Sequence, residues 1–184
     1  GVNFVVIKWG VHDLPPLLLG GLRFVLAALP AGWLIARPAL PWPYVLAYGL
    51  SMGVGQFGLL FSAMAYGMPA GLASVVLQAQ AFFTLLLGGL WLGERIALAS
   101  LSGLLCASVG LWLIASTHGA NMTMLGFALT LAAALSWALS NLVVRRASQA
   151  GHRPDTLALV VWASLVPPLP LLTASLLFEG PVRI

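Results

Sequence analysis

Charge is what this sequence has least of: eight lysines and arginines and four aspartates and glutamates are spread over 184 residues, 7% of the chain, where a soluble domain carries about 25%. A chain so poor in charge cannot cover a water-facing surface. Its 61% hydrophobic residues and mean hydropathy of +1.03 assign it to lipid. The net charge of +4 is scattered over short loops, which excludes nucleic acid as a partner and suits orientation in a bilayer. The single Cys106 can form no internal disulfide and reads as a small packing residue. His12, His118 and His152 fall in different loops and no H-E-x-x-H occurs, which excludes a metal site. Asp13, Glu94, Asp155 and Glu179 all lie at span ends or loops, so the deep carboxylate of a simple proton relay is missing. Neither a serine with a histidine nor two aspartates occur at depth, so an intramembrane hydrolase is excluded too. The chain reads as no enzyme, and no cofactor is expected.

What is present is a series of apolar runs. A membrane span needs roughly 20 mostly apolar residues, at about 1.5 Å each, to cross about 30 Å of hydrocarbon. Such runs lie at about 16–36, 44–66, 71–94, 97–115, 122–144 and 156–178. A first segment of about eleven residues precedes the loop His12-Asp13-Leu14-Pro15-Pro16 and reaches only about 17 Å as a helix, so it is expected to be the truncated end of a span. Pro30 is expected to kink the second span, and Pro167, Pro168 and Pro170 to break the seventh. The run Gly71 to Glu94 is taken as a central helix because it carries two amides, Gln78 and Gln80, without formal charge before Glu94. Residues two apart do not share a helix face. Gly71, Ser74 and Gln78 therefore form one stripe and Gln80, Thr84 and Gly88 another, one for a pathway and one for packing.

Lysine and arginine orient the set. Alternate loops hold Arg37, then Arg95, then Arg145, Arg146 and Arg153, whereas the loops near 12–15, 67–70 and 116–121 hold none. The loops with the basic excess are expected in the cytoplasm, so the first span runs outward. Lys8 lies near the outer end of its span, against that bias.

Gly53 to Gly58 fits G-x-G-x-x-G, but no strand precedes it and it lies inside an apolar helix, so the dinucleotide reading fails. Close helix contact is the better account, and Gly49/Gly53, Gly67/Gly71 and Gly89/Gly93 share the small-xxx-small spacing. Polar side chains inside apolar spans face a bundle interior or a pathway. The candidates for a substrate site are accordingly Asn3, Lys8, Arg23, Gln56, Gln78, Gln80, Trp137 and Asn141. A cation there, Lys8 or Arg23, can hold a carboxylate, and an amide can hold an amino group. Each has a structural alternative: Lys8 snorkels to the interface, Arg23 bonds carbonyls, the glutamines join helices, Asn3 and Asn141 form a matched pair and Trp137 packs. Glu94 is expected to form a local ion pair with Arg95.

A shift of 138 residues lays Asn3 to Lys8 on Asn141 to Arg146, Pro16 on Pro154 and Pro30 on Pro168. A repeat unit of five spans, an odd number, starts its second copy from the opposite side of the membrane, giving an inverted repeat. The expected domains are a first five-helix repeat at 1–116, short at its N-terminus, and the first two helices of the second repeat at 117–184. The fold class is all-α and polytopic, roughly the first seven of ten transmembrane helices.

These residues resemble a known family. Gly1 to Lys8, Gly21-Leu22-Arg23-Phe24, Gly67 to Ser74, Gln78-Ala79-Gln80-Ala81-Phe82-Phe83, Gly93-Glu94, Met124-Leu125-Gly126-Phe127 and Ser136-Trp137 look like the EamA-type branch of the drug/metabolite transporter superfamily. The resemblance implies a secondary transporter of ten helices in inverted repeats. It would export small amino-acid metabolites such as cysteine and O-acetylserine across the bacterial inner membrane by alternating access. A stretch of this length alone is expected not to transport. The competing reading is a passive channel or membrane scaffold, against which the deep Arg23 and the repeat both argue.

Overall fold

The structure, a computed structural model, describes residues 2–94, 98–116, 122–153 and 155–180. All regular structure among them is helical. Seven segments follow in order: α1 (Val2–Asp13), α2 (Pro16–Leu34), α3 (Trp42–Ala65), α4 (Ala70–Leu92), α5 (Leu98–Ser116), α6 (Met124–Gln149) and α7 (Thr156–Glu179). Five of these, α2, α3, α4, α6 and α7, are long and apolar enough to cross a membrane. With 12 residues, α1 reaches about 18 Å.

The large apolar side chains on the outside, among them Trp33, Leu90, Trp91, Trp112 and Phe178, would be errors in a soluble domain. In lipid they are the solvent-facing surface. What must be buried instead is polarity, because an unsatisfied backbone or amide group in hydrocarbon costs several kcal/mol.

The central helix is α6, which packs on both α3 and α4. The stretch expected to form a central helix, α4, packs along it. The reason lies in the small side chains of α6: Gly126, Thr130, Ala133, Ala134, Ala138 and Ser140 are buried along one side and let neighbouring backbones approach. Thr123 starts the helix by accepting from the Gly126 amide at 3.0 Å, while its own hydroxyl donates to the Tyr66 carbonyl at the end of α3. At its other end α6 continues to Gln149. Arg145 and Arg146 are therefore helical rather than in a loop, which corrects the sequence boundary at Val144. The apolar period of α6 stops where it leaves the hydrocarbon, but nothing there ends the backbone ladder until Gly151, at φ +85°.

Three helices carry irregular backbone: α4 tightens at 77–78, and α3 and α7 depart further. In α3 the glycine-rich run Gly49–Gly58 winds as a π-helix. In α7 the helix breaks over 164–167, as the prolines predict. These last two irregularities meet. An added β-carbon on Gly53 would sit 1.9 Å from Pro167 Cγ, and one on Gly49 would sit 2.6 Å from the Ala163 carbonyl oxygen. The Gly49/Gly53 spacing is thus a close-packing device. Of the other glycines so spaced, Gly67 and Gly93 have φ of +95° and +67° at helix ends, a β-carbon on Gly67 would lie 3.0 Å from Thr123 Cγ2, and Gly71 has nothing within 4 Å. Pro30, expected to kink α2, leaves its helical run uninterrupted.

Contacts between helix ends sort the chain into two faces. Glu179 accepts from the amides of Leu17 and Leu18 at 2.9 and 3.3 Å, and Thr123 reaches Tyr66, at the end free of lysine and arginine loops. At the other end Trp162 Nε1 donates to Ile35 O at 3.1 Å, Trp42 meets Trp162 edge-on, and Arg145 meets Glu94. Arg37, lying 4.6 Å over the Trp42 ring, belongs to this basic end.

Candidate functional site

The polar residues of the spans divide into three environments. The first is a seam between α4 and α6. Asn141 Nδ2 donates to Gln80 Oε1 at 3.0 Å and to Thr84 Oγ1 at 3.2 Å, and the Thr84 hydroxyl donates to the Gln80 carbonyl at 2.7 Å. One turn on, Gly88 makes room for Glu94: a β-carbon there would lie 2.7 Å from Glu94 Oε2. Glu94 bonds Arg145 Nη1 at 2.5 Å. Spacings of 80, 84 and 88 on α4 against 141 and 145 on α6 are the i, i+4 faces of two helices in register. The Gln80 stripe therefore packs. Arg95, the expected partner of Glu94, lies outside the described residues.

The second environment holds Gln78, which is exposed and borders a cleft of about 400 Å³ between α4 and α5 with Val75, Phe82, Ser100, Gly103 and Ala107. At this point α4 tightens: Gln78 N bonds Val75 O, Gln80 N bonds Leu77 O and Ala81 N bonds Gln78 O, each three residues back, at 3.0–3.1 Å. The two amides serve different neighbours, as their spacing predicts.

The third is a cavity of about 280 Å³ between α2, α3 and α7, bordered by Arg23, Tyr48, Met52, Gly53, Phe57 and Ser164 among others. The Arg23 guanidinium carbon lies 4.3 Å over the Phe57 ring, which itself meets Phe24 edge-on. Its Nη1 is buried without a hydrogen-bond partner among the described residues. Arg23 lies about 10 Å along α2 from its Pro16 end, and Ser164 about 12 Å along α7 from its Thr156 end at the opposite side of the bundle, so the cavity is near mid-depth. Gln56, 3% exposed on the same helix as Phe57, also keeps an unpartnered Oε1 among the described residues.

The remaining candidates are structural or undescribed. Lys8 Nζ donates at 2.9 Å to the Met64 carbonyl at the end of α3, which also accepts from Gly67 N at 3.3 Å. Trp137 packs against the main apolar cluster around Phe61 and Met64, and its carbonyl accepts from the Ser140 hydroxyl at 2.7 Å. The side chain of Asn3 lies outside the described residues. Sequence reasoning missed Tyr48, Met52 and Ser164 as cavity walls, Arg145 as the partner of Glu94, and Glu179 as the cap of α2. Only the last had a visible signal, a carboxylate at a span end opposite a helix start.

No group of three or more histidine, cysteine or carboxylate side chains suited to a metal occurs among the described residues.

Comparison with known proteins gives a consistent result. Residues 1–116 match the EamA-like transporter family. A probable amino-acid metabolite efflux pump of Salmonella typhimurium LT2 is 52% identical over 98% of this chain, covering 61% of the relative. Its counterpart in Escherichia coli K12 is 48% identical over the same shares. An uncharacterized inner membrane transporter of Escherichia coli K12 is 28% identical over 77% of this chain and 48% of its own length. The chain thus spans about three fifths, 61%, of the length of the two efflux pumps.

Proposed function

The chain belongs to the EamA-like transporter family, and from that premise we propose that the protein exports small amino-acid metabolites across the bacterial inner membrane by alternating access. The observation that carries the reading is the Arg23 cavity: a guanidinium with an unpartnered Nη1, facing about 280 Å³ of space near mid-depth. A buried cation that only held the fold together would be met by carbonyls or a carboxylate. The relatives named as amino-acid metabolite efflux pumps support the substrate class.

Helix directions support an inverted repeat of domains 1–116 and 117–184. Leu17 lies by Glu179 and Ile35 by Trp162, so α2 and α7 run in opposite directions. The Tyr66 to Thr123 contact puts the start of α6 at the end where α1 finishes, so those two are antiparallel as well. That is the arrangement a 138-residue repeat of inverted sense requires. By the basic excess, the end bearing Arg37, Arg145, Arg146 and Arg153 faces the cytoplasm.

The test is counterflow in proteoliposomes of the complete protein loaded with unlabelled L-cysteine or O-acetyl-L-serine. Saturable uptake of external label above equilibrium is the expected result. Flux proportional to concentration without overshoot would identify a passive channel, and no flux would leave only a scaffold.

A further inference from the structure

The Arg23 cavity is asymmetric, and its asymmetry names a chemistry. On the α2 side stands Arg23, the one charged side chain among the described residues that border it. The guanidinium carbon lies 4.3 Å over the Phe57 ring, and Nη1, without a partner among the described residues, is left for a ligand. A planar fork of this kind matches a carboxylate with two parallel hydrogen bonds.

On the α7 side stands Ser164, at the point where the helix breaks. Its hydroxyl is spent on the Val160 carbonyl at 2.6 Å. Its own carbonyl, however, would be met in a continuous helix by the N–H of residue 168, and residue 168 is proline, which has none. Leu165 and Val166 instead bond back three residues, to Trp162 and Ala163, at 3.2 and 3.1 Å. The break therefore frees an acceptor of partial negative charge beside the cavity. Gly49 and Gly53 hold it against α3, since any side chain there would collide with Ala163 or Pro167.

Resting on the export reading above, the geometry points to a clamp for the zwitterionic head of an α-amino acid: Arg23 takes the carboxylate, and the carbonyl freed at Ser164 by Pro168 takes the ammonium. Helix interruptions that present carbonyls at mid-membrane are a general device for holding cations. This places the amino end of the ligand on α7, not on Gln78 or Gln80. The cavity volume of about 280 Å³ falls just below the usual range of ligand sites, about 300–1,000 Å³, which suits a compact metabolite.

The experiment measures ligand-induced stabilisation of the purified complete protein by three probes: L-serine, its methyl ester, which lacks the carboxylate, and 3-hydroxypropionate, which lacks the ammonium. The wild-type protein is expected to bind serine about tenfold or more tightly than either analogue. Arg23→Gln should abolish the advantage of serine over its ester while keeping its advantage over 3-hydroxypropionate. Pro168→Ala, which restores an N–H to the break, should do the reverse. Equal wild-type binding of all three probes would overturn the clamp, whatever the variants do, and leave amino-acid export standing. Binding of none would overturn the export reading and the clamp together. If Arg23→Gln weakens serine and its ester alike, the carboxylate is not on Arg23. If folded Pro168→Ala keeps the preference for the ammonium, the α7 half is wrong.

Discussion

Replacing Asn141 by alanine tests the reasoning that two polar stripes of one helix have different duties. Asn141 donates two interhelical hydrogen bonds, to Gln80 Oε1 at 3.0 Å and Thr84 Oγ1 at 3.2 Å. Interhelical bonds in membrane proteins average about 0.6 kcal/mol with a maximum of about 1.7, so removing both should destabilise by about 1–3 kcal/mol. Thr84 keeps its own bond to the Gln80 carbonyl, and the loss should therefore fall chiefly on the Gln80 amide. A double-mutant cycle of Asn141→Ala with Gln80→Ala should show coupling of about 0.6–1.7 kcal/mol. Gln78→Ala, at an exposed position on the other stripe, should change stability by less than about 0.5 kcal/mol. The measurement is reversible unfolding of the purified complete protein in mixed micelles by titration with SDS. Export per folded molecule is measured beside it in cells, and should be normal for Gln80→Ala. Coupling of zero, or a Gln78→Ala variant less stable than Gln80→Ala, would refute the assignment of the seam.

Other outcomes follow from the same geometry. With Cys106 replaced, a single cysteine at Ser116 should react with an impermeant thiol reagent on whole cells and one at Ser148 should not, because Ser148 shares the basic end with Arg145 and Arg146. Glu94→Gln and Arg145→Gln should each cost no more than about 1 kcal/mol, since the pair is 33% and 43% exposed, and exchanging the two charges should recover much of it on SDS unfolding. Gly53→Ala should destabilise by about 1–3 kcal/mol, because its β-carbon would meet Pro167 at 1.9 Å. Gly71→Ala, with nothing within 4 Å, should be neutral or slightly stabilising by the same measurement. Glu179→Gln should loosen α2 from α7 by about 1 kcal/mol, the scale of a lost helix cap.

The helices were legible because lipid imposes length, and length survives ignorance of every contact. The expected runs agree with the observed helices to within a few residues, except at Val144, where a change of solvent was taken for a change of backbone. Helix faces were legible too: Gln80, Thr84 and Gly88 align because 3.6 residues per turn is a local fact. What they face is not local. Which helix is approached from most sides depends on its neighbours, and the small residues of α6 lie at spacings also found in α4 and α5, where Gly71, Gly103 and Gly110 meet nothing within 4 Å. Small residues permit contact without commanding it.

The same distinction separates the cations. Lys8 and Arg23 are both charges in apolar runs, one near a span end and one deep, and the backbone beside each gives it a different partner. Near Lys8 the helix α3 ends, and an ending helix offers carbonyls with spare acceptor capacity; the Met64 carbonyl, which takes only a long bond of 3.3 Å from Gly67 N, accepts from Lys8 at 2.9 Å. Near Arg23 the backbone of α3 is irregular but continuous, and a π-helical stretch pairs its own carbonyls within the helix, so the guanidinium is offered an aromatic face instead. Irregular backbone at membrane depth persists only where protein covers it or where it lines a cavity. Here both conditions hold at once, since the glycines of α3 cover the break in α7 and the remaining space lies between that break and Arg23. The proline run announced a break and the glycine run a close contact, more than 100 residues apart. Their convergence on one charge required the fold.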